Sequence, residues 1–318
     1  MKIAVDAMGG DYAPREVVAG AVLFAQKEKT KVVLVGKEEI LKQELAQHNY
    51  EPGLVEIVNA TEVIGMDESP ATALRKKKNA SIVVATKMVR EGKADAVLSC
   101  GSTGAQMAAA VFILGRMENI ERPPIATFIP NQEGKNTILI DAGANIDCRP
   151  RQLVQFALLG KVYAQVVMGI ENPRVALLNN GEEETKGSSL YVEAHNLLKE
   201  NEGLNFTGNI EGRYIFDAKA DVIVCDGFTG NIVLKTVEGL SVFLARNVVK
   251  EIGKLPTFFS KMDYTSIGGA PLLGVNGISI VCHGSSNREA VYNGLCVACD
   301  CIKNDIVRKQ VEALTFLK

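Results

Sequence analysis

Short apolar runs and stretches of helical period alternate along this chain, and that alternation limits the fold more than any other feature. The runs at 2–6, 31–36, 54–59, 94–99, 125–129, 137–141, 174–178, 221–225 and 278–282 have the length and uniform apolarity of buried strands. Between them, helices are expected at 14–29, 38–47, 71–91 with a break near Asn79, 102–116, 150–168, 188–199, 231–252 and 287–304. Strand followed by helix, repeated, specifies an α/β protein with three α/β/α layers and a mainly parallel sheet. Only the pair 125–129 and 137–141, joined by a polar turn, reads as antiparallel. The alternation carries no linker or low-complexity tract, so 1–318 is expected to be a single domain with a helical protrusion at about 231–266.

Six turns rich in glycine, asparagine and serine punctuate this pattern, and most directly follow a strand. They are Asp-Ala-Met-Gly-Gly-Asp at 6–11, Cys-Gly-Ser-Thr-Gly at 100–104, Asp-Ala-Gly-Ala-Asn at 141–145, Asn-Asn-Gly-Glu at 179–182, Asp-Gly-Phe-Thr-Gly-Asn at 226–231 and His-Gly-Ser-Ser-Asn at 283–287. Turns at the carboxyl ends of parallel strands, with helices opening behind them, present backbone N–H groups to anions. In open α/β sheets that edge is where sites are built. The expectation is an enzyme that handles phosphate or carboxylate.

Composition narrows the class. A formal charge of −2 argues against a general nucleic-acid binder, and no apolar run approaches the roughly 18 residues of a membrane span. Met1 leads straight into a strand pattern rather than a signal peptide, so export is not expected. Seven cysteines, an odd number, suit a reducing compartment. Cys296, Cys299 and Cys301 have a metal-like spacing, but they fall within one helical pattern, where packing is the simpler reading; no metal is expected. The dinucleotide, P-loop, serine-hydrolase and zincin signatures are all absent. Of three histidines, His48 and His195 read as surface residues. His283 ends a strand, where it either orients its turn or faces the cleft.

Beyond the long helix, Leu255, Phe258, Phe259 and Met262 have helical spacing, with Lys254 and Lys261 alongside. They make either a helix packed back on its predecessor or an apolar tip that enters a lipid surface. Arg75, Lys76, Lys77 and Lys78 form the densest basic run, which fits a solvated helix face, a docking patch or membrane attraction.

The opening Asp-Ala-Met-Gly-Gly-Asp-Tyr-Ala-Pro, then Ser-Cys-Gly-Ser-Thr-Gly-Ala, Asp-Ala-Gly-Ala-Asn, Glu-Glu-Glu-Thr-Lys-Gly, Cys-Asp-Gly-Phe-Thr-Gly-Asn and His-Gly-Ser-Ser-Asn, in this order, resemble the bacterial phosphate acyltransferases of phospholipid synthesis. The resemblance spans essentially the whole chain. It implies an isocitrate/isopropylmalate-dehydrogenase-like fold and a homodimer at the cytoplasmic face of the membrane. It also implies transfer of a long fatty acyl group from acyl carrier protein to inorganic phosphate, with no cofactor. The rival readings are a short-chain phosphotransacetylase and a non-catalytic acyl-binding scaffold at the membrane.

Such a reaction needs positioned anions more than a strong base, since phosphate is already a nucleophile. Amides at Gly9, Gly10 and Gly227 through Gly230 are the expected phosphate cradle, with Asn231 as a side-chain donor. Ser285, Ser286 and Asn287 either donate to phosphate or cap the following helix. Lys186 is the expected cation, to neutralise phosphate, steady the oxyanion or protonate the thiolate; the plain alternative is pairing with Glu182, Glu183 or Glu184. Asn180 would position the acyl carbonyl, and Asp6 and Asp226 would shape their turns. Docking of the acidic carrier protein gives Arg75–Lys78 a use beyond solvation.

Overall fold

The computed structural model describes residues 1–256 and 268–315. Among these, the strands are β1 (Lys2–Asp6), β2 (Lys31–Gly36), β3 (Val55–Asn59), β4 (Ala96–Ser99), β5 (Ala126–Pro130), β6 (Asn136–Ile140), β7 (Arg174–Asn179), β8 (Asn205–Glu211), β9 (Val222–Val224), β10 (Ala270–Pro271) and β11 (Ile278–Val281). The chain forms two compact units, one from Met1–Met117 with the later segment ending at Val307, the other from Glu118 through the long helix with the segment from Arg308.

The α/β alternation expected from the sequence is present, but it is divided between two sheets. The first has the order β10-β11-β4-β1-β2-β3, parallel except for the short β10. Its centre is fully buried from Val32 to Val35 and from Ala96 to Leu98, which is why these strands read as unbroken apolar runs. Helices Arg15–Glu28 and Arg288–Lys303 pack together on this sheet, where Gly20 lets the backbone of one approach Val291 of the other. The helical stretch 71–91 is split, as its sequence suggested, into Pro70–Lys76 and Ser81–Arg90.

The second sheet has the order β5-β6-β9-β7-β8, with β5 and β6 the antiparallel pair. Asn131 shapes their turn by accepting from the amides of Glu133 and Lys135. Ile129, Leu139, Leu178, Ile210 and Ile223 make the core on one face, closed by Val233, Leu234 and Val237 of helix Gly227–Ile252. Each such buried aliphatic side chain contributes about 1.5–3 kcal/mol.

Two expectations are corrected here. Strand β8, Asn-Phe-Thr-Gly-Asn-Ile-Glu, has no counterpart in the periodicity reading, because an edge strand need not be apolar. That strand in turn buries His195: the imidazole is 2% exposed, its Nδ1 lies 3.0 Å from Asn209 Oδ1, and its ring packs edge-on against Phe206. His195 is therefore a core residue, and His48 is half-buried beside Glu44.

Candidate active site

The six turns fall three to each sheet, and in each sheet they follow neighbouring strands. In the first unit they follow β11, β4 and β1; in the second they follow β6, β9 and β7. Parallel pairing sets each trio side by side along one carboxyl edge.

In the first unit a buried carboxylate organises the trio. Asp6 accepts from Ser99 Oγ at 2.7 Å and from the Met8 amide, while Ser99 Oγ accepts from the Gly101 amide. Burial pushes the Asp6 pKa up, opposed by these donors. A Cβ at Gly9 would lie 2.6 Å from Asp6 Oδ2 and 2.8 Å from the Gly101 nitrogen, so only glycine allows this approach. Gly10 has a φ of 109°, and the next amide, Asp11, donates to Gly284 O at 2.8 Å, joining the β1 and β11 turns.

The His283 turn separates roles that the sequence left open. Asn287 is the cap, its Oδ1 accepting from the amides of Glu289 and Ala290. Ser285 is engaged with His283: its amide donates to Nδ1, and its hydroxyl lies 2.7 Å from the same nitrogen. An Nδ1 that accepts an amide proton must carry its own hydrogen on Nε2 when the ring is neutral. Ser286 is 2% exposed, and its hydroxyl is buried without a hydrogen-bond partner among the described residues. A buried hydroxyl in that state is costly unless something not of the chain meets it.

In the second unit Asp141 plays the corresponding part. It is fully buried and accepts from the amides of Ile125, Gly143, Ala144 and Asn145 and from Asn145 Nδ2. Burial raises its pKa, against those five donors. Next to it, helix Gly227–Ile252 begins four residues earlier than its periodicity suggests, because Asp226 caps it: Oδ1 accepts from the Thr229 amide, and Oδ2 from Thr229 Oγ1 and the Tyr191 phenol. This corrects one expectation. The amides of Gly227 and Gly230 are not open to an anion, since they donate to Asn145 O and Asp226 O. These glycines instead permit close packing, and a Cβ at Gly230 would lie 1.9 Å from Asp141 O. The exposed Asn231 side chain lies against Gly143, at the same edge.

The turn after β7 holds Asn180 and Lys186. Asn179 closes it, accepting from the Asn180 amide and donating to Lys186 O. Of the three glutamates, Glu182 pairs with Lys219 and Glu184 with Lys199. Among the described residues Lys186 has only Glu183, at 4.0 Å, and its side chain is 48% exposed. Beside this turn a cleft of about 410 Å³ is lined by Leu178, Asn180, Gly187, Tyr191, Thr229 and Val233. A larger cavity of about 530 Å³, near His195 and Phe206, lies where the Glu184 and Glu182 ion pairs form and shares none of these residues. Lys186, Asn180 and Asn231 thus belong to one unit, and Gly9, Gly10, Ser285 and Ser286 to the other. Sequence reading missed Tyr191, which carries no motif of its own, and passed over Ser99 and Asp141 as members of their turn motifs.

The remaining candidates are more scattered. Arg75, Lys76 and Lys78 are exposed, but Lys77 turns inward to Glu68 and to Val63 O, a structural contact. Leu255 is exposed, while Phe258, Phe259 and Met262 lie outside the described residues. All seven cysteines are free thiols, and burial pushes Cys148 and Cys301 up to about 12, which keeps them protonated. Cys299 and Cys301 pack inside on helix Arg288–Lys303. No helix among the described residues is long and apolar enough to cross a membrane.

Comparison with known proteins agrees with this architecture. A family model described as "Fatty acid synthesis protein" matches residues 1–309. The chain is 64% identical over 311 residues to a phosphate acyltransferase of Syntrophomonas wolfei, covering 98% of this chain and 97% of that protein. It is 52% identical over 331 residues to one of Pelotomaculum thermopropionicum, covering 99% and 96%. Among solved structures, a phosphotransacetylase from Streptococcus pyogenes shares the fold, with a TM-score of 0.63 at 17% identity, covering 99% of this chain and 94% of that one. A 4-hydroxythreonine-4-phosphate dehydrogenase from Klebsiella pneumoniae does so with a TM-score of 0.59 at 13% identity, covering 95% and 99%. With a family match over nearly its whole length and relatives this similar, the chain belongs to the phosphate acyltransferases and is an acyltransferase enzyme that acts on phosphate.

Proposed function

We propose that this enzyme moves a long-chain fatty acyl group from the thioester of acyl carrier protein to inorganic phosphate, giving acyl phosphate for glycerophospholipid synthesis. The observation that carries this reading is the Lys186 turn. A weakly paired ammonium stands next to Gly187, which lines a cleft whose Leu178 and Val233 walls suit an alkyl chain. A phosphate oxygen attacks the thioester carbonyl, the C–O bond forms, and the resulting oxyanion is met by donors from Asn180 and Asn231. The C–S bond then breaks, and Lys186 protonates the departing thiolate and regains a proton from hydrogen phosphate. As a separate proposal within the first unit, Gly9, Gly10, Ser285 and Ser286 are given anion contacts, with the Ser286 hydroxyl, unpaired among the described residues, as their best support.

Three partners are proposed for the surface. Helix Gly227–Ile252 exposes Phe228, Ile232, Leu240, Phe243 and Ile252, with Phe243 61% exposed. A helix apolar on several sides does not stay in water uncovered. A second copy of the chain is the proposed cover over its length. Lipid at the inner face of the cell membrane is the proposed contact of the segment that starts at Leu255. Carrier-protein docking is proposed at the exposed Arg75 and Lys78, with Lys76 adding general charge and Lys77 left out.

Incubation of the protein with palmitoyl-carrier protein and phosphate tests the reaction. Phosphate-dependent release of free thiol and acyl phosphate is expected. Turnover of acetyl thioester in preference to palmitoyl would identify a short-chain enzyme, and thiol release indifferent to phosphate would refute the transfer.

A further inference from the structure

Three helices of the first unit, Pro70–Lys76, Ser81–Arg90 and Thr103–Ala109 with its continuation Ala110–Leu114, meet around a groove of about 320 Å³. The floor is apolar: Leu74 and Val83 are buried, and Phe112 stands at the side, 67% exposed. Phe112 falls in the wider π-helical turn Ala110–Leu114, a local widening of the helix that often marks a functional position. The rim is made of Arg75, Lys78 and Lys87, and no carboxylate lines the groove. Among the described residues no ion pair engages these three cations, whereas Lys77, in the same run, is held by Glu68. Lys87 acts on the nearby Glu91 carboxylate only through space, so an apolar slot whose positive rim forms no ion pair among the described residues calls for a partner that is apolar at one point and acidic around it.

Where the groove stands matters as much as its charge. Phe112 lies ten residues beyond Ser102, the cap of that helix in the turn after β4, which is roughly 15 Å of helical rise. A partner seated at Phe112 is set back from the carboxyl edge, so its substrate must be carried on an extended arm.

We infer that this groove is the seat of the acyl carrier protein, which inserts an apolar side chain of an acidic helix between Leu74, Val83 and Phe112 and sets its carboxylates against Arg75, Lys78 and Lys87. The inference rests on the proposed reaction for the identity of the partner, but not for its test. Phe112 supplies the desolvated anchor, and the cations steer the encounter and fix its orientation. Lys76, which does not line the groove, contributes only general charge.

The test is a titration of fluorescently labelled carrier protein into the full chain, without phosphate, with thermal unfolding of each variant as a control of folding. Phe112→Ala should weaken binding about tenfold or more at every salt concentration. The double variant Arg75→Glu/Lys78→Glu should weaken it about tenfold at low salt, with the gap closing toward about 1 M salt, where screening is short-ranged. Lys76→Glu should stay within about threefold of the parent. Parental affinity in Phe112→Ala would overturn the assignment. So would parental carrier binding combined with lost adsorption to anionic phospholipid vesicles, which would give the face to lipid. A parent chain that binds carrier protein through Phe112 but releases no thiol with phosphate would refute the reaction and leave the docking site standing.

Discussion

The Tyr191 phenol donates to the Asp226 carboxylate, and the Asp226 amide lies 3.3 Å from the same phenol oxygen, so one tyrosine grips both ends of the residue that caps the long helix. Burial together with that neighbouring carboxylate raises the Tyr191 pKa well above the ordinary tyrosine value and keeps it a donor. Tyr191→Phe should cost about 1 kcal/mol of stability through the lost hydrogen bond. Turnover should fall by more than the KM for phosphate changes, because Asn231 sits on the helix that the cap starts. Thermal unfolding and steady-state kinetics check the two effects, and unchanged turnover would remove Tyr191 from the positioning of Asn231.

Replacement of Lys186 by Met keeps the stem and removes the charge. The side chain is half-exposed and its paired carboxylate, Glu183, lies as far as 4.0 Å, so the melting temperature should hold. Phosphate-dependent thiol release should drop about a hundredfold or more, the scale of a lost oxyanion-stabilising group. Near-parental release would strike Lys186 from the mechanism.

Asp6 predicts a pH effect of definite sign. Its folded-state pKa is raised above the ordinary 3.8, so its contribution to stability is full below the unfolded pKa and fades as pH rises through the folded value. Asp6→Asn cannot titrate. The melting temperature of the variant minus that of the parent should therefore become more positive as pH rises above about 4, the ordinary carboxylate range. Asp141 titrates in both proteins and cancels. A difference that is flat or falls with pH would show that the hydrogen bonds from Ser99 and Met8 outweigh burial.

Two glycines of one helix should respond oppositely to alanine. At Gly230 the new methyl would lie 1.9 Å from Asp141 O, a backbone atom that cannot move without the five-donor turn moving too, and a loss of about 3 kcal/mol or more is expected. At Gly239 nothing lies within 4 Å, and alanine should stabilise the helix by about 1 kcal/mol. Urea unfolding measures both. A loss at Gly239 would report a neighbouring copy against that face of the helix.

Much of this was legible in the letters, for identifiable reasons. Buried parallel strands such as Val32–Val35 announce themselves by unbroken apolarity, and the turns announce themselves because close backbone approach at Gly9 and Gly230 admits no side chain. What was hidden depends on partners remote in sequence. Ser99 matters through Asp6, 93 residues away, and Asn209 is what makes a buried place for His195. Strand β8 was invisible because a sheet edge tolerates polar residues. The mistaken freedom of the Gly227 and Gly230 amides has the same origin: only the fold shows that Asp226 begins the helix and that Asn145 O takes the first amide.

The 26 residues of helix Gly227–Ile252 extend about 39 Å, from the capped turn at Asp226 to a greasy shoulder at Val249 and Ile252. A rod of continuous backbone bonds resists bending, so whatever grasps the distal shoulder also sets the tilt at which Asn231 is offered. Anchorage and aim are in this sense one mechanical object. A crosslink or an adsorbing surface at Ile252 would retune the proximal turn with every atom there left in place.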